Sequence, residues 1–313
     1  MISFVARRVL ATVPVLLIVA VLVFLLLRLT PGDPAAILAG DAANTEQIAR
    51  IRASLGLDRP IAVQFGIWAG QMLQGNLGES FYYKTQVASL IGQRLEPTLS
   101  LAALTIALAS LVAVPLGILA AWRQGGWLDR ALMGFSVLGF SVPVFVLAYI
   151  LIWLLSLKLG VLPVQGYQRL GDGAVPWLRH LALPALTLSV IYVALIARVT
   201  RASVMEALGE DYIRTARAKG LTEARVLLRH ALANAAVPII TVVGLGIALL
   251  IGGVVVTESV YAIAGLGRLT VDAVLARDFP TVQGLILFFS FIYVLLNLLV
   301  DLSYVFLDPR IRY

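Results

Sequence analysis

Six long apolar runs dominate the chain and limit what it can fold into. A helix that crosses a bilayer needs about 20 predominantly apolar residues. The runs cover residues 9–29, 98–122, 131–157, 181–199, 237–256 and 281–306. The chain is 60% hydrophobic and 13% charged, whereas soluble domains average about 25% charged residues. The sequence therefore predicts an all-α membrane protein of six transmembrane helices, forming a single domain over residues 1–313.

The positions of Lys and Arg predict the orientation of these helices. Cytoplasmic loops of membrane proteins retain positive charge, and long outer loops count for little. Arg7 and Arg8 precede the first run, and the 201–234 segment is rich in Arg. We expect both termini and the 201–234 loop to be cytoplasmic and the 30–97 loop to be extracytoplasmic. This distribution accounts for the net charge of +7 without a nucleic-acid partner.

The 30–97 loop contains two helical patterns. Asn44 followed by Gln47 fits a capping box, and the apolar positions that follow share one face until Gly56. A second pattern begins at Pro60, a residue favoured in the first turn of a helix, and ends at Gly75. Two alternatives stay open: both helices lie on the bilayer surface, or the loop receives an extracytoplasmic partner.

The chemistry that the chain lacks narrows its function. Residues 98–121, 131–157, 182–197 and 235–257 contain no Asp, Glu, Lys, Arg or His. Ion-coupled transporters usually place ionisable groups inside the membrane. The chain has no phosphate-binding loop and no cysteine, so we expect no ATP site, catalytic residue, metal or cofactor. A self-sufficient ion-coupled secondary transporter remains the alternative, because backbone carbonyls could ligate sodium; a membrane enzyme or scaffold is a third hypothesis.

Three polar residues near the span ends are candidate gate or subunit-contact residues. Asn297 and Asp301 are four residues apart in the last run and share a helical face. Glu258 lies two residues after the end of the fifth run. The alternative for Asp301 is a boundary carboxylate paired with Arg198, Arg201 or Arg310. The glycines of the fifth run fit either close helix packing or a flexible gate.

The 201–234 loop carries a short helical pattern of its own. Residues 210–221 read Glu-Asp-Tyr-Ile-Arg-Thr-Ala-Arg-Ala-Lys-Gly-Leu. Gly209 or Asp211 can begin a helix, and Gly220 can adopt the positive φ that ends one. Ala216 is small, so a partner surface could approach there. The alternative is a solvated basic loop that only fixes topology.

Several short motifs occur in order between the apolar runs. Residues 28–34 read Arg-Leu-Thr-Pro-Gly-Asp-Pro, and residues 277–280 read Arg-Asp-Phe-Pro. Residues 162–166, 257–269 and 307–312 carry three more. With the 214–220 segment, this series resembles the permease subunits of dipeptide and oligopeptide ABC importers. Two positions differ from the family pattern: Arg214 replaces an acidic residue, and Ala264 replaces a proline.

The resemblance implies a type I ABC importer permease architecture in a bacterial inner membrane. It implies a second homologous permease, two cytoplasmic ATPase subunits and an extracytoplasmic solute-binding protein as partners. Family substrates are mostly di- and oligopeptides, and relatives carry glutathione, opines or nickel chelates. The residues that would couple to the ATPases are Asp211, Tyr212, Arg214, Thr215, Ala216, Arg217, Lys219, Gly220 and Leu221.

Overall fold

The computed structural model describes residues 2–29, 35–36, 44–54 and 56–307. Within these residues the chain is helical, and the pairing of Glu79 with Gln86 is an isolated β-bridge. The predicted all-α class is therefore confirmed. The predicted motifs at 30–34 and 308–312 lie outside the described residues.

Thirteen α-helices are used below, in chain order. They are α1 (Ile2–Leu29), α2 (Thr45–Ser54), α3 (Ile61–Leu73), α4 (Val87–Trp122), α5 (Trp127–Ser141), α6 (Val144–Leu151), α7 (Ala174–Gly209), α8 (Asp211–Ala218), α9 (Glu223–Arg225), α10 (Leu232–Gly253), α11 (Val255–Val260), α12 (Leu266–Leu275) and α13 (Phe279–Leu307). Two π-helical segments, Ile152–Lys158 and Val226–Ala231, follow α6 and α9, and a 3₁₀ turn covers Leu170–Asp172.

The described helices include four that are long and apolar enough to cross a membrane. These are Val87–Trp122, Ala174–Gly209, Glu223–Gly252 and Phe279–Tyr304. The pair Trp127–Ser141 and Val144–Lys158 would make a fifth, and the Leu10–Leu26 stretch of α1 is shorter. A multi-pass helical membrane protein is thus confirmed, and the count of six spans stays a prediction.

A sharp bend divides the third predicted span. The sequence predicted one run over 131–157, but the two helices meet there at 102°. Val142 is extended, with φ −84° and ψ 122°, and Pro143 precedes the first residue of α6. Proline lacks an N–H and disfavours helical geometry in the residue before it, which ends α5 at this point.

The two helices predicted in the 30–97 loop are present. The Gln47 backbone N–H donates to Asn44 Oδ1 at 2.8 Å, and the Asn44 N–H donates to Gln47 Oε1 at 3.0 Å. This reciprocal pair is the predicted capping box. Gly56 and Gly75 have φ values of +66° and +78° after α2 and α3, as expected for glycines that end helices.

The chain divides into two compact units. The first contains Met1–Val5, Leu95–Arg268 and Leu295–Tyr313. Its helices pack closely where small residues lie: a Cβ on Gly244 would overlap Val300, and one on Gly246 would lie 3.2 Å from the Tyr192 ring. These contacts support close packing for Gly244 and Gly246, whereas a Cβ on Gly252 would have nothing within 4 Å.

The second unit contains Ala6–Arg94 and Leu269–Val294. Helix α3 packs on α1 within it, and the Phe24 and Phe65 rings meet edge to face at 5.1 Å between centroids. The ring centroids of Trp68 and Phe24 are 5.5 Å apart. Helix α3 is therefore anchored to α1 by aromatic contacts.

Candidate functional site

The short helix α8 is the central feature of the 201–234 loop. It spans Asp211–Ala218 after the extended residue Glu210. Asp211 lies in its first turn and Arg217 in its last, which complements the helix dipole at both ends. The predicted helix is confirmed.

The inner face of α8 packs on its own chain. Ile213 is fully buried and Ala216 is 6% exposed. They belong to one apolar cluster with Ile118, Ala121, Val204, Ala207, Val226, Leu227, Ala231, Ala235 and Ile239. Ala216 therefore packs α8 against α4, α7 and the segment that follows α8 in the chain. The prediction that a partner approaches at Ala216 needs changing, because this face of α8 is already covered.

The outer face of α8 is open. Its exposed residues are Asp211, Tyr212, Arg214, Thr215, Arg217, Ala218 and Lys219. Ala218 lies opposite the buried pair on the helical wheel, because successive residues turn by about 100°. A partner surface could approach this face at Ala218, whose own side chain is a single methyl group.

The charged residues of α8 are partly engaged within the chain. Arg217 donates to both carboxylate oxygens of Glu223, at 2.8 and 3.2 Å. This hydrogen bonding raises the pKa of the Arg217 guanidinium, so the charge is retained. Arg214 Nη1 lies 3.3 Å from Asp211 Oδ1, and both side chains are exposed. Such exposed pairs contribute little stability, so Arg214 remains available to an acidic partner.

Gly220 ends the helix through its backbone conformation. Its φ is +79°, and a Cβ there would have nothing within 4 Å. The Gly220 N–H donates to the Arg217 carbonyl at 2.9 Å. The Leu221 N–H donates to the Ala216 carbonyl at 3.3 Å. Leu221 then packs against the apolar cluster. The predicted positive φ is confirmed, and glycine is favoured here by conformation.

A buried ion pair near α8 was missed by sequence reasoning. Arg201 of α7 donates to both oxygens of Asp129 in the first turn of α5, and one of the bonds measures 2.8 Å. The Gly125 N–H also donates to Asp129, at 2.9 Å. The Asp129 side chain is 6% exposed and that of Arg201 is 20% exposed. The sequence signal was an acidic residue two positions before the apolar run that begins at residue 131.

Two of the three arginines predicted as partners of Asp301 have other contacts. Arg201, one of its predicted partners, is paired with Asp129. Arg198, another, lies over the Phe140 ring at 5.4 Å, and Arg310 lies outside the described residues. On α13 Asn297 is exposed and Asp301 is partly exposed. A gate or subunit-contact role for these two residues stays a prediction, and so does the role of Asp301 as a paired boundary carboxylate.

Glu258 is enclosed by its own chain. It is 0% exposed, and its carboxylate accepts from Thr98 Oγ1 at 2.6 Å and from the Arg268 N–H at 2.9 Å. The Leu266 N–H donates to Thr98 Oγ1 at 2.8 Å. A Cβ on Gly265 would overlap Glu258 and lie 2.5 Å from Thr98 Oγ1. Glu258 thus fastens the 257–269 motif to α4, and its side chain presents no surface to another subunit in this structure.

Two motifs from the sequence meet in the first unit. The Gly166 N–H donates to the Tyr261 carbonyl at 2.9 Å. The Tyr261 hydroxyl, itself buried, hydrogen-bonds Thr187 at 2.7 Å. The 162–166 and 257–269 motifs therefore hold one another in place.

Asp278 plays a similar part in the second unit. It is 0% exposed and accepts from Ser80 Oγ, from the Phe81 N–H at 2.9 Å and from Thr281 Oγ1 at 2.6 Å. Arg277 beside it has φ +53°. The 277–280 motif therefore ties the end of the 30–97 loop to the beginning of α13.

Two protein families match this chain, one over its N-terminal part and one over most of the rest. Residues 113–313 match the family described as "Binding-protein-dependent transport system inner membrane component". Residues 1–102 match the corresponding N-terminal family. The described helices define a multi-pass helical membrane protein, and the family matches make it a component of a transport system. The chain belongs to the binding-protein-dependent transport system inner membrane component family, which confirms the family resemblance.

Individual relatives match 99–100% of the chain. "Probable peptide ABC transporter permease protein y4tP" of Sinorhizobium fredii (strain NBRC 101917 / NGR234) is 52% identical over 310 residues, 99% of each chain. "Glutathione transport system permease protein GsiC" of Salmonella typhi is 44% identical over 313 residues, 100% of each.

A solved structure shares the fold. The structure titled "Inward facing conformations of the MetNI methionine ABC transporter: CY5 native crystal form" matches with a TM-score of 0.58 at 17% identity. The match covers 70% of this chain and 96% of the other.

Proposed function

We propose that this chain is a permease subunit of an ATP-driven ABC importer for di- or oligopeptides or related small solutes. Glutathione, opines and nickel chelates belong to the same proposed substrate range. The names of two full-length relatives, a peptide and a glutathione permease, support this range. The permease would form half of the translocation pathway beside a second, homologous permease.

The exposed face of α8 is the proposed docking surface for a cytoplasmic ATPase subunit. The observation that carries this proposal is the two-sided structure of α8: Ile213 and Ala216 seat it on the chain, while Ala218 and its neighbours are open. The outer face carries Arg214 and Lys219, which suit acidic groups of a partner. The partner ATPases would hydrolyse ATP, and this subunit would have no ATP site of its own.

The remaining partner is an extracytoplasmic solute-binding protein. We infer that both termini and the 201–234 loop face the cytoplasm of a bacterium and that the 30–97 loop faces outward. The binding protein would then deliver substrate on the side of α2 and α3.

Reconstitution tests the proposal against an ion-coupled transporter. The chain would be placed in liposomes with its partner permease, both ATPases and the binding protein, and uptake of labelled peptide and glutathione would be measured. We expect uptake that requires ATP and every subunit. Uptake by the chain alone, driven by a sodium or proton gradient, would establish the alternative instead.

Site-directed crosslinking tests the docking surface. A photoreactive residue at Ala218 should crosslink to an ATPase subunit, and one at Ala53 of α2, also exposed, should not. The same crosslink from both positions, or from neither, would contradict docking at α8.

A further inference from the structure

Arg198 lies inside an apolar span and has no acidic partner among the described residues. It belongs to α7 and to the run 181–199, and residues 182–197 before it contain no charged residue or histidine. Its guanidinium carbon lies 5.4 Å from the centre of the Phe140 ring. Charged residues inside membrane spans are rare, and they face the bundle interior or a water-filled cavity.

Helix α7 is open to its surroundings at Arg198. This helix is the most buried of the four long spans, with 61% of its apolar window buried. Between residues 187 and 201 every residue except Arg198 is buried or half-buried, whereas Arg198 is exposed. Arg198 therefore offers its charge to a group outside this chain.

The Arg198 side chain points toward the middle of the span. Ala194, one turn earlier in α7, packs on α5, where a Cβ on Gly139 would lie 3.2 Å from the Ala194 Cβ. Phe140 follows Gly139, so the guanidinium beside its ring lies near the level of Ala194 and away from the 201–234 loop. Long basic side chains near span ends usually extend to the membrane interface instead.

The backbone next to Phe140 also needs a polar or protein environment. Helix α5 ends at Ser141, and the two residues before α6, Val142 and Pro143, are exposed. They lie near the middle of the 131–157 run, where the two helices meet at 102°. Backbone that leaves the helix at membrane depth is found only where protein buries it or where it lines a water-filled cavity. The break and the charge of Arg198 independently exclude hydrocarbon as the neighbour of this surface.

A carboxylate is the group that would complement Arg198, and the six apolar runs are a poor source of one. They contain a single acidic residue, Asp301, near the end of the last run. That end is cytoplasmic in the proposed topology, whereas the guanidinium points away from it. A second, homologous permease would have similar spans. Every di- or oligopeptide, in contrast, carries a carboxylate at its C-terminus.

We propose that Arg198 lines the translocation pathway and binds the C-terminal carboxylate of the transported peptide. This inference rests on the proposed function and gives the permease a substrate contact of its own. The recognised group is a free carboxylate, which the planar N–H fork of a guanidinium can hold through two hydrogen bonds. Phe140 would keep the guanidinium in place by its attraction for a cation.

Uptake of matched peptides tests the proposal. The complete transporter would be reconstituted in liposomes with ATP, and its binding protein would be loaded to equal extents with labelled tripeptides as free acids or as C-terminal amides. Uptake per loaded binding protein would be compared for the natural chain and for Arg198→Gln. We expect the ratio of acid to amide uptake to fall at least about tenfold in Arg198→Gln, because only the acid loses a charged hydrogen-bond partner. Arg198→Lys should restore part of the ratio.

Arg179→Gln is the matched control, because Arg179 is an exposed arginine of the same helix and should leave the ratio unchanged. An unchanged ratio in Arg198→Gln would overturn the proposal. Equal losses for acids and amides, with weaker co-purification of the second permease, would also overturn it and would assign Arg198 to the subunit contact. The proposed function fails separately, if the natural chain shows no ATP-dependent uptake of either mixture.

Discussion

Arg201 and Asp129 join helix α7 to the first turn of α5 through a two-bond contact that is almost closed to solvent. Helix α7 ends at Gly209, directly before α8. The same end of α7 supplies Val204 and Ala207 to the cluster that seats α8. A displacement of α8 by a docked partner would therefore be passed to α7 and, through this pair, to α5.

Breaking the Arg201–Asp129 pair should destabilise the fold. Asp129→Asn leaves a largely buried guanidinium without its counter-charge, for which we expect a loss of about 3 kcal/mol. Arg201→Gln should act similarly. The double variant should cost no more than the worse single variant, because neither charge is left alone. Thermal unfolding of the detergent-purified subunit measures all three.

Arg130 supplies the control for this cycle. It donates to the Gly125 carbonyl at 3.0 Å on the exposed surface, so Arg130→Gln should change the melting temperature little. Additive losses for Asp129→Asn and Arg201→Gln would show that the two residues do not act as a pair.

Gly265 should tolerate no side chain. A Cβ there would lie 2.5 Å from Thr98 Oγ1 and would overlap the Glu258 carboxylate. We expect Gly265→Ala to cost about 1–3 kcal/mol through overpacking and to lower the yield of folded protein. Gly252→Ala is the matched control, because a Cβ there has nothing within 4 Å. Equal yields and melting temperatures for the two variants would contradict the buried Glu258 contact.

Asp278→Asn should loosen the end of the 30–97 loop. The carboxylate accepts from Ser80, Phe81 and Thr281, and an amide can accept from fewer donors. A hydrogen bond to a charged group contributes about 1.5–3 kcal/mol. Amide hydrogen exchange across 78–87 should therefore accelerate. The exposed neighbour Glu79 provides the control, and Glu79→Gln should leave exchange unchanged; unchanged exchange in Asp278→Asn would argue against this role.

Cysteine labelling should establish the topology. The natural chain has no cysteine, so single cysteines can be introduced at the exposed residues Asp58 and Thr222. A membrane-impermeant maleimide should label the first in intact cells and the second only after permeabilisation. The opposite pattern would reverse the proposed orientation.

Sequence patterns predicted the local features of the fold well. The Asn44–Gln47 capping box and the positive φ of Gly220 depend on neighbouring residues, so short motifs were sufficient to predict them. The family motifs also marked important positions, although their roles emerged only from the fold. Glu258 and Asp278 are buried acceptors that hold distant segments together.

Long-range pairing was the part that sequence could not supply. Arg201 and Asp129 are 72 residues apart, and nothing in the spacing shows which carboxylate meets this arginine. Likewise, a small residue such as Ala216 fits a close approach by either a partner or the same chain. Only the packing of α8 decides between the two, and it assigns Ala216 to the inner face.

The most direct test of the central proposal is a comparison of tryptophan variants on the two faces of α8. Ala218→Trp adds bulk to the open face, Ala216→Trp to the buried face, and Ala53→Trp to an exposed helix of the 30–97 loop. Co-purification of the ATPase subunits and the melting temperature of the permease would be measured for each. We expect Ala218→Trp to retain its melting temperature and lose the ATPases, Ala216→Trp to lose stability by overpacking, and Ala53→Trp to retain both. Normal ATPase binding and peptide uptake by a stable Ala218→Trp subunit would contradict docking at this face.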